Sequence, residues 1–385
     1  MMKWNVAFAV VLVAGCKSSS PPAENQAGTQ AATAAAPAPV EPKAQWEIDN
    51  PVQPLPTPPL GVQADWKRLK WTVTPEKVRL GKWLYFDTRL SADNTLSCAS
   101  CHHPENAFSE VTPVSTGIKG QKGTRKAPSF VNGAWPLFET FFWDGRAASL
   151  AEQAKGPVQN PIEMGNTHEK AVASIAAASG YKKAFKESFG DDKIDIDRIA
   201  EAIASYESTR MSGNSAYDRF DNGEQGALNE KQKKGREVFF SKALCSQCHL
   251  GWNFTDSQFH NLGIGWDASK LAKSPKAAKP PADPKTAFAD IGRSKISNKE
   301  EDTGAFKTPT LRDVSKHAPY MHDGSLKTLK EVVEHYNKGG NPNPWLSKKV
   351  FPLKLTSEEV DQVVAFMEAL DGTGYQDTAP KSFPQ

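Results

Sequence analysis

The sequence predicts a mainly α-helical protein made of two tandem copies of one small unit, each assembled around a Cys-x-x-Cys-His run, behind an exported, unstructured leader. Three observations carry this. The run occurs at Cys98-Ala99-Ser100-Cys101-His102 and again at Cys245-Ser246-Gln247-Cys248-His249. Each run follows a shared pattern of Gly, basic, any, aliphatic, aromatic, Phe: Gly81-Lys82-Trp83-Leu84-Tyr85-Phe86 and Gly235-Arg236-Glu237-Val238-Phe239-Phe240. Each half closes on a stretch with helical apolar spacing, residues 199–207 and 360–368. A pattern repeated at this scale marks a tandem unit.

The run has a chemical reading. Two thiols at this spacing reach the two vinyl groups on one porphyrin edge and become thioethers, and the histidine that follows lies under the iron as its proximal ligand. With 5 Cys and 8 His in 385 residues, a chance match is expected roughly 0.001 times. Zinc, the rival, wants four ligands per site and often paired Cys-x-x-Cys runs. Two covalently bound c-type haems are therefore expected, on Cys98, Cys101 and His102 and on Cys245, Cys248 and His249.

The leader comes first in the chain. Met1-Met2-Lys3, an apolar stretch over residues 6–14 and Gly15-Cys16 read as a secretory signal, too short to span a bilayer. Val13-Ala14-Gly15-Cys16 resembles a bacterial lipoprotein cleavage box, with Cys16 lipidated and residues 1–15 removed. Lys17 after it favours outer-membrane sorting, by resemblance to Gram-negative lipoproteins. The expected location is periplasmic, with the membrane touched only through the lipid. One cysteine for lipid and four for haem leave none for a disulfide. The formal charge of +3 falls to about +2 without Lys3 and gives no case for nucleic acid. Residues 16–60, rich in Ala and Pro, bury too little apolar surface to offset chain entropy and read as a disordered tether.

Order is expected to start near Trp66. Thr74-Pro75 reads as a helix start, with Thr as cap and Pro in the first turn. The polar cluster Asp221-Asn222-Gly223-Glu224 reads as the boundary between a first unit, residues 61–223, and a second, residues 224–385. Residues 268–303 read as a long surface loop, and Leu355-Thr356-Ser357-Glu358-Glu359 as the cap of the closing helix. Each unit then has the plan of a small c-type cytochrome, with loops packed round the haem.

Further motifs make the chain resemble the bacterial di-haem cytochrome c peroxidase family, which includes MauG, over about residues 66–375. They are Phe142-Trp143-Asp144-Gly145-Arg146-Ala147, Asn160-Pro161-Ile162-Glu163-Met164, Lys307-Thr308-Pro309-Thr310-Leu311-Arg312 and Ala318-Pro319-Tyr320-Met321-His322-Asp323-Gly324-Ser325. The resemblance implies a peroxide-reactive first haem and an electron-transfer second haem. It implies Trp143 between the haems as an oxidisable relay, Gln153 and Glu163 in the distal pocket, and Pro157 as a pocket wall. Glu163 would move the peroxide's proton, given a pKa raised by burial.

The chain departs from the activated peroxidases in three places. Their distal His position is Ile118, in residues 116–123, which cannot ligate iron, so the first haem is expected to be open. Tyr336 stands fourteen residues after His322, where they carry a Met ligand. MauG resembles this chain there, and a tyrosinate stabilises oxidised iron. Core packing for Tyr336, with Met321 or His335 as the ligand, is the other reading. The family often holds calcium between its domains with an Asn that here is Lys126, in Lys126-Ala127-Pro128, and His317 stands where Thr is usual. Calcium is therefore doubtful, or Lys126 replaces it electrostatically.

The expected function is a MauG-like di-haem oxidase that uses hydrogen peroxide to oxidise Trp or Tyr residues of a partner protein. One alternative is a periplasmic peroxidase fed by a small cytochrome or cupredoxin. Another, of a different class, is a non-catalytic di-haem electron carrier.

Overall fold

The two Gly-led patterns become two helices, and each glycine lets its helix cross the closing helix of its own half at close range. In the computed structural model, which describes residues 42–135, 140–272 and 283–385, the helices are α1 (Gln45–Asp49), α2 (Pro75–Phe86), α3 (Leu150–Gln159), α4 (His168–Ala176), α5 (Ser179–Phe189), α6 (Ile196–Ser208), α7 (Ala216–Asp221), α8 (Glu230–Phe240), α9 (Ser269–Ala272), α10 (Ser294–Ser297), α11 (Leu329–Asn337) and α12 (Ser357–Glu368). A Cβ on Gly81 of α2 would lie 1.8 Å from the Ala202 carbonyl oxygen of α6. One on Gly235 of α8 would lie 1.9 Å from the Gln362 oxygen of α12. The helix backbones can meet at these points only because no side chain is there.

The expected caps form. Thr74 accepts from the Lys77 N–H at the start of α2. Thr356 and Glu359 make a reciprocal capping box on α12. Around the crossings lie two apolar cores. One holds Leu80, Trp83, Leu84, Phe185, Ile199 and Ile203. The other holds Phe239, Phe254, Val360, Val363 and Phe366. Fully burying one such side chain contributes about 1.5–3 kcal/mol.

The fold is mainly helical. Among the described residues the sheet is a single antiparallel pair, β1 (Phe259–Asn261) on β2 (Ala305–Lys307), with Phe259 opposite Lys307. No described helix is long and apolar enough to cross a membrane. Lys43–Gln385 form one unit by their mutual contacts.

Two sequence expectations change. The signal peptide, Cys16 and residues 17–41 lie outside the described residues, but the part of the expected tether around α1 is packed, while residues 51–54 are exposed. Trp46 on α1 is buried edge-on against Trp83, with ring centroids 5.1 Å apart, and the Asn50 amide donates to the Ser382 carbonyl at 3.1 Å. One tryptophan buries enough surface to order its neighbours, a signal that the surrounding prolines and alanines mask. Within residues 268–303, Ala287, Phe288, Ser294 and Thr303 are buried, so the expected surface loop is anchored inward at these positions, while Lys295, Ile296 and residues 298–301 stay exposed.

Candidate active site

The two Cys-x-x-Cys-His runs fold alike. Each opens on a single 3-10 turn, Cys98–Ser100 and Cys245–Gln247. His102 Nδ1 pairs with the Phe108 carbonyl at 3.1 Å, and His249 Nδ1 with the Phe254 carbonyl at 2.9 Å. A carbonyl partner fixes the Nδ1–H tautomer and leaves the Nε2 lone pair for a metal. Burial, the largest influence on both rings, lowers their pKa and keeps them neutral. Tyr85 supports the first run by donating to the His102 carbonyl at 2.6 Å.

Above the first run opens a cavity of about 880 Å³, within the ~300–1,000 Å³ range of ligand and cofactor sites. Its lining includes Cys98, Cys101, His102, Trp143, Gln153, Pro157 and Glu163. The residues fit a covalent haem. The two thiols and a neutral imidazole share the wall. Lys307 also lines it with no acidic partner among the described residues, lowered to about 8 by burial, as suits a cation awaiting a carboxylate such as a haem propionate. Glu207, also in the lining, has an Oε2 that is buried and without a hydrogen-bond partner. Burial raises this carboxyl to about 8.

His102 is the single histidine among the described residues that line this cavity. The loop expected to differ from the activated peroxidases contributes Gly117 and Gly123 to the lining. Ile118 instead packs on Gly165, where an added Cβ would lie 2.2 Å from its Cδ1. The Ile118 N–H donates to the Glu163 carbonyl at 2.8 Å, tying this loop to the Glu163 loop. The Glu163 carboxylate accepts from the Asn160 amide at 2.8 Å. Burial raises its pKa, against the opposing pull of Arg146 and Asn160.

Trp143 lines the cavity and meets elements from the far part of the sequence. Its indole N–H donates to the Lys126 carbonyl at 2.8 Å. Its own carbonyl accepts from the Lys307 N–H at 2.8 Å. Its ring lies 6.4 Å, edge-on, from that of His322, which stacks on Phe306 at 3.6 Å. An ion-pair network secures the loop: Arg125 donates to Asp144 at 2.7 Å and to Asp290 at 2.6 Å, and Arg146 to Asp144 at 2.9 Å. Sequence reading missed Arg125, Asp290, Glu207 and the wall at Ala289, Ile291, Lys295 and Ile296. None of them sits in a motif with its own chemical signature.

Tyr336, on α11, is half-buried beside the second run. Burial raises its phenol far above the usual range, and the Cys248 and Cys245 sulfurs raise it further. The neighbouring His335 is buried, and its Nε2 pairs with the Leu262 carbonyl at 3.0 Å, which occupies that nitrogen. Met321, with a left-handed backbone at φ 73°, lies in the turn closed by Tyr320 and Leu326.

Calcium at Lys126 does not fit. The Lys126 ammonium itself donates to two backbone carbonyls, those of Glu110 and His317. A divalent ion about 4 Å from it would be repelled by about 8 kcal/mol at an effective dielectric near 20. Among the described residues, the one cluster of possible metal-ligating side chains is Cys248, Asp256 and His260, where Asp256 and His260 already pair at 2.8 Å.

Twin Cys-x-x-Cys-His turns on a repeated helix pair, with a deep cavity over the first, define the class: a haem-dependent oxidoreductase of the two-centre c type. Residues 75–226 match the family model described as di-haem cytochrome c peroxidase. The chain is 36% identical over 312 residues to methylamine utilization protein MauG of Methylorubrum extorquens, covering 80% of this chain and 82% of that one. It is 36% identical over 303 residues to cytochrome c551 peroxidase of Nitrosomonas europaea, covering 78% and 82%. A solved structure, a MauG-like protein associated with microbial copper homeostasis, superposes with a TM-score of 0.70 at 30% identity, over 85% of this chain and 97% of that one. The chain belongs to the di-haem cytochrome c peroxidase and MauG family.

Proposed function

We propose that this protein is a MauG-like di-haem oxidase, in which hydrogen peroxide reacts at an open first centre and electrons are drawn from Trp or Tyr residues of a partner protein. The observation that carries the reading is the lining of the first cavity: His102, the half-buried Glu163 carboxyl and, among the described residues, no second histidine that could close an iron there. In the two units, residues 61–223 and 224–385, the haems would be held by Cys98, Cys101 and His102 and by Cys245, Cys248 and His249, with Tyr336 as the second centre's further ligand. When bound, the haems supply the redox chemistry with peroxide. The chain positions the reactants around them. Glu163 takes the first peroxide proton and returns it to the leaving oxygen, and its raised pKa suits both tasks. Gln153 orients the peroxide. Trp143, held by its indole N–H and its backbone carbonyl, would serve as the oxidisable group between the two centres when they are bound. Reduction of one peroxide to two waters consumes two electrons and two protons, and the partner's aromatic side chains supply both.

The protein would work in the periplasm, anchored through lipid on Cys16, with residues 17–41 as spacer. The reading is tested by adding one equivalent of peroxide to the diferric protein. A long-lived state oxidised at both centres, able to modify a Trp-containing peptide, is expected. Rapid decay, with fast turnover only when a reduced small cytochrome is supplied, would support the peroxidase reading that other relatives' names carry.

A further inference from the structure

Lys126 is 4% exposed, and neither of its ammonium partners is an acid. It donates to the carbonyl of Glu110 and, at 2.7 Å, to that of His317, 191 residues further along the chain. Oxygen dipoles converging from two separate segments are the surroundings of a hard cation. The same residue's backbone holds two more contacts. Its N–H donates to the His322 carbonyl at 2.8 Å, and its carbonyl receives the Trp143 indole N–H at 2.8 Å. The ammonium, the second-half turn and the Trp143 ring are thus joined through one residue. Burial lowers the ammonium's pKa to about 8, and the Glu110 carboxyl, itself buried, opposes that cost and favours the cation. His317 adapts to it. Its Nε2 is buried without a hydrogen-bond partner, and burial with the adjoining Lys126 drives its pKa down to about 3, so it stays neutral.

We propose that Lys126 is a built-in cation, which occupies the place of a divalent metal ion between the two halves and positions Trp143, so that this protein works without calcium. The proposal rests on the contacts of the ammonium and is independent of the oxidase reading. A tethered cation cannot dissociate, so the site would be indifferent to chelators and to the ionic composition outside the cell. Its replacement by a short amide would return the site to an exchangeable metal.

The test uses the full diheme protein. Wild type is expected to contain substoichiometric calcium by elemental analysis, and its ferric EPR spectrum is expected to be the same in EGTA and in millimolar calcium chloride. The Lys126→Asn variant should have an altered EPR spectrum in EGTA and should bind one calcium, with return of the wild-type spectrum. Lys126→Met, which keeps most of the length of the side chain and loses its charge, should be altered and unresponsive to calcium. Stoichiometric calcium in the wild type, or a wild-type spectrum that changes in EGTA, would overturn the proposal without need of any variant. So would a Lys126→Asn protein that keeps the wild-type spectrum in EGTA, or one whose altered spectrum calcium fails to restore.

Discussion

The Trp143 indole N–H and the Lys126 carbonyl meet at 2.8 Å, across 17 residues of sequence. This contact sets the plane of the ring that lines the first cavity and lies edge-on to His322. Replacing Trp143 by Phe keeps most of the apolar contact and removes the donor. The loss of one such bond costs about 1 kcal/mol, so the protein should stay folded. Stopped-flow spectra should show the first centre still reacting with peroxide while oxidation of the second slows at least tenfold, on the order of one good positioning effect.

Glu163→Gln should slow the reaction with peroxide by about 10²-fold or more, the usual size of general acid–base help, with both haems still attached. The pH dependence carries a sign. Burial raises the Glu163 pKa, so the basic form that takes the proton gains population only above the ordinary carboxyl range. The wild-type rate should climb with pH in that raised window, and the Gln variant should be flat there. Equal rates for the two proteins would remove Glu163 from the mechanism.

Tyr336→Met exchanges a phenol for a thioether beside the second run. Axial ligands command a span of about 0.8 V, and a thioether favours reduced iron where a phenolate favours oxidised iron. The second centre's potential should rise by about 0.1 V or more in a spectroelectrochemical titration. An unmoved potential would mean that Tyr336 only packs the core.

Gly81→Ala and Gly235→Ala place a methyl group within 2 Å of the Ala202 and Gln362 carbonyl oxygens. Overpacking of this kind typically costs about 1–3 kcal/mol. Both variants should melt at lower temperature than wild type, and by comparable amounts, because the two crossings are built alike.

Glu207 titrates in the opposite sense to a paired carboxylate. Burial lifts it from 4.5 to about 8, so the folded state holds a proton that the unfolded chain releases. Its contribution is most favourable below about pH 4.5 and declines as pH rises toward about 8, by up to about 1.4 kcal/mol per pH unit. Glu207→Gln should remove that decline and raise the melting temperature near pH 8. A variant less stable than wild type at that pH would show that the carboxylate has a partner in the holoprotein.

The two Cys-x-x-Cys-His turns were legible in the sequence because they are local. Spacing alone foretold them, as it did the caps at Thr74 and Thr356 and the apolar faces of α6 and α12. The paired Gly81 and Gly235 motifs announced a repeated unit, though not the reason for it. That reason is a helix crossing, visible only once Ala202 and Gln362 are in place. Trp46 was lost in a stretch that composition marks as unstructured, since its order comes from Trp83.

What the sequence determined by itself is the set of reactive groups and the helices that bear them, because both depend on neighbours a few residues away. Tertiary packing alone decided which of those groups share a space. It turned Ile118 onto Gly165, brought Arg125 to Asp290, left Glu207 and Lys307 in the lining of one cavity, and gave the Lys126 ammonium two carbonyls from opposite halves of the chain. Such meetings join residues far apart in the chain, and their energies come from burial and desolvation that exist only after the halves have closed on each other.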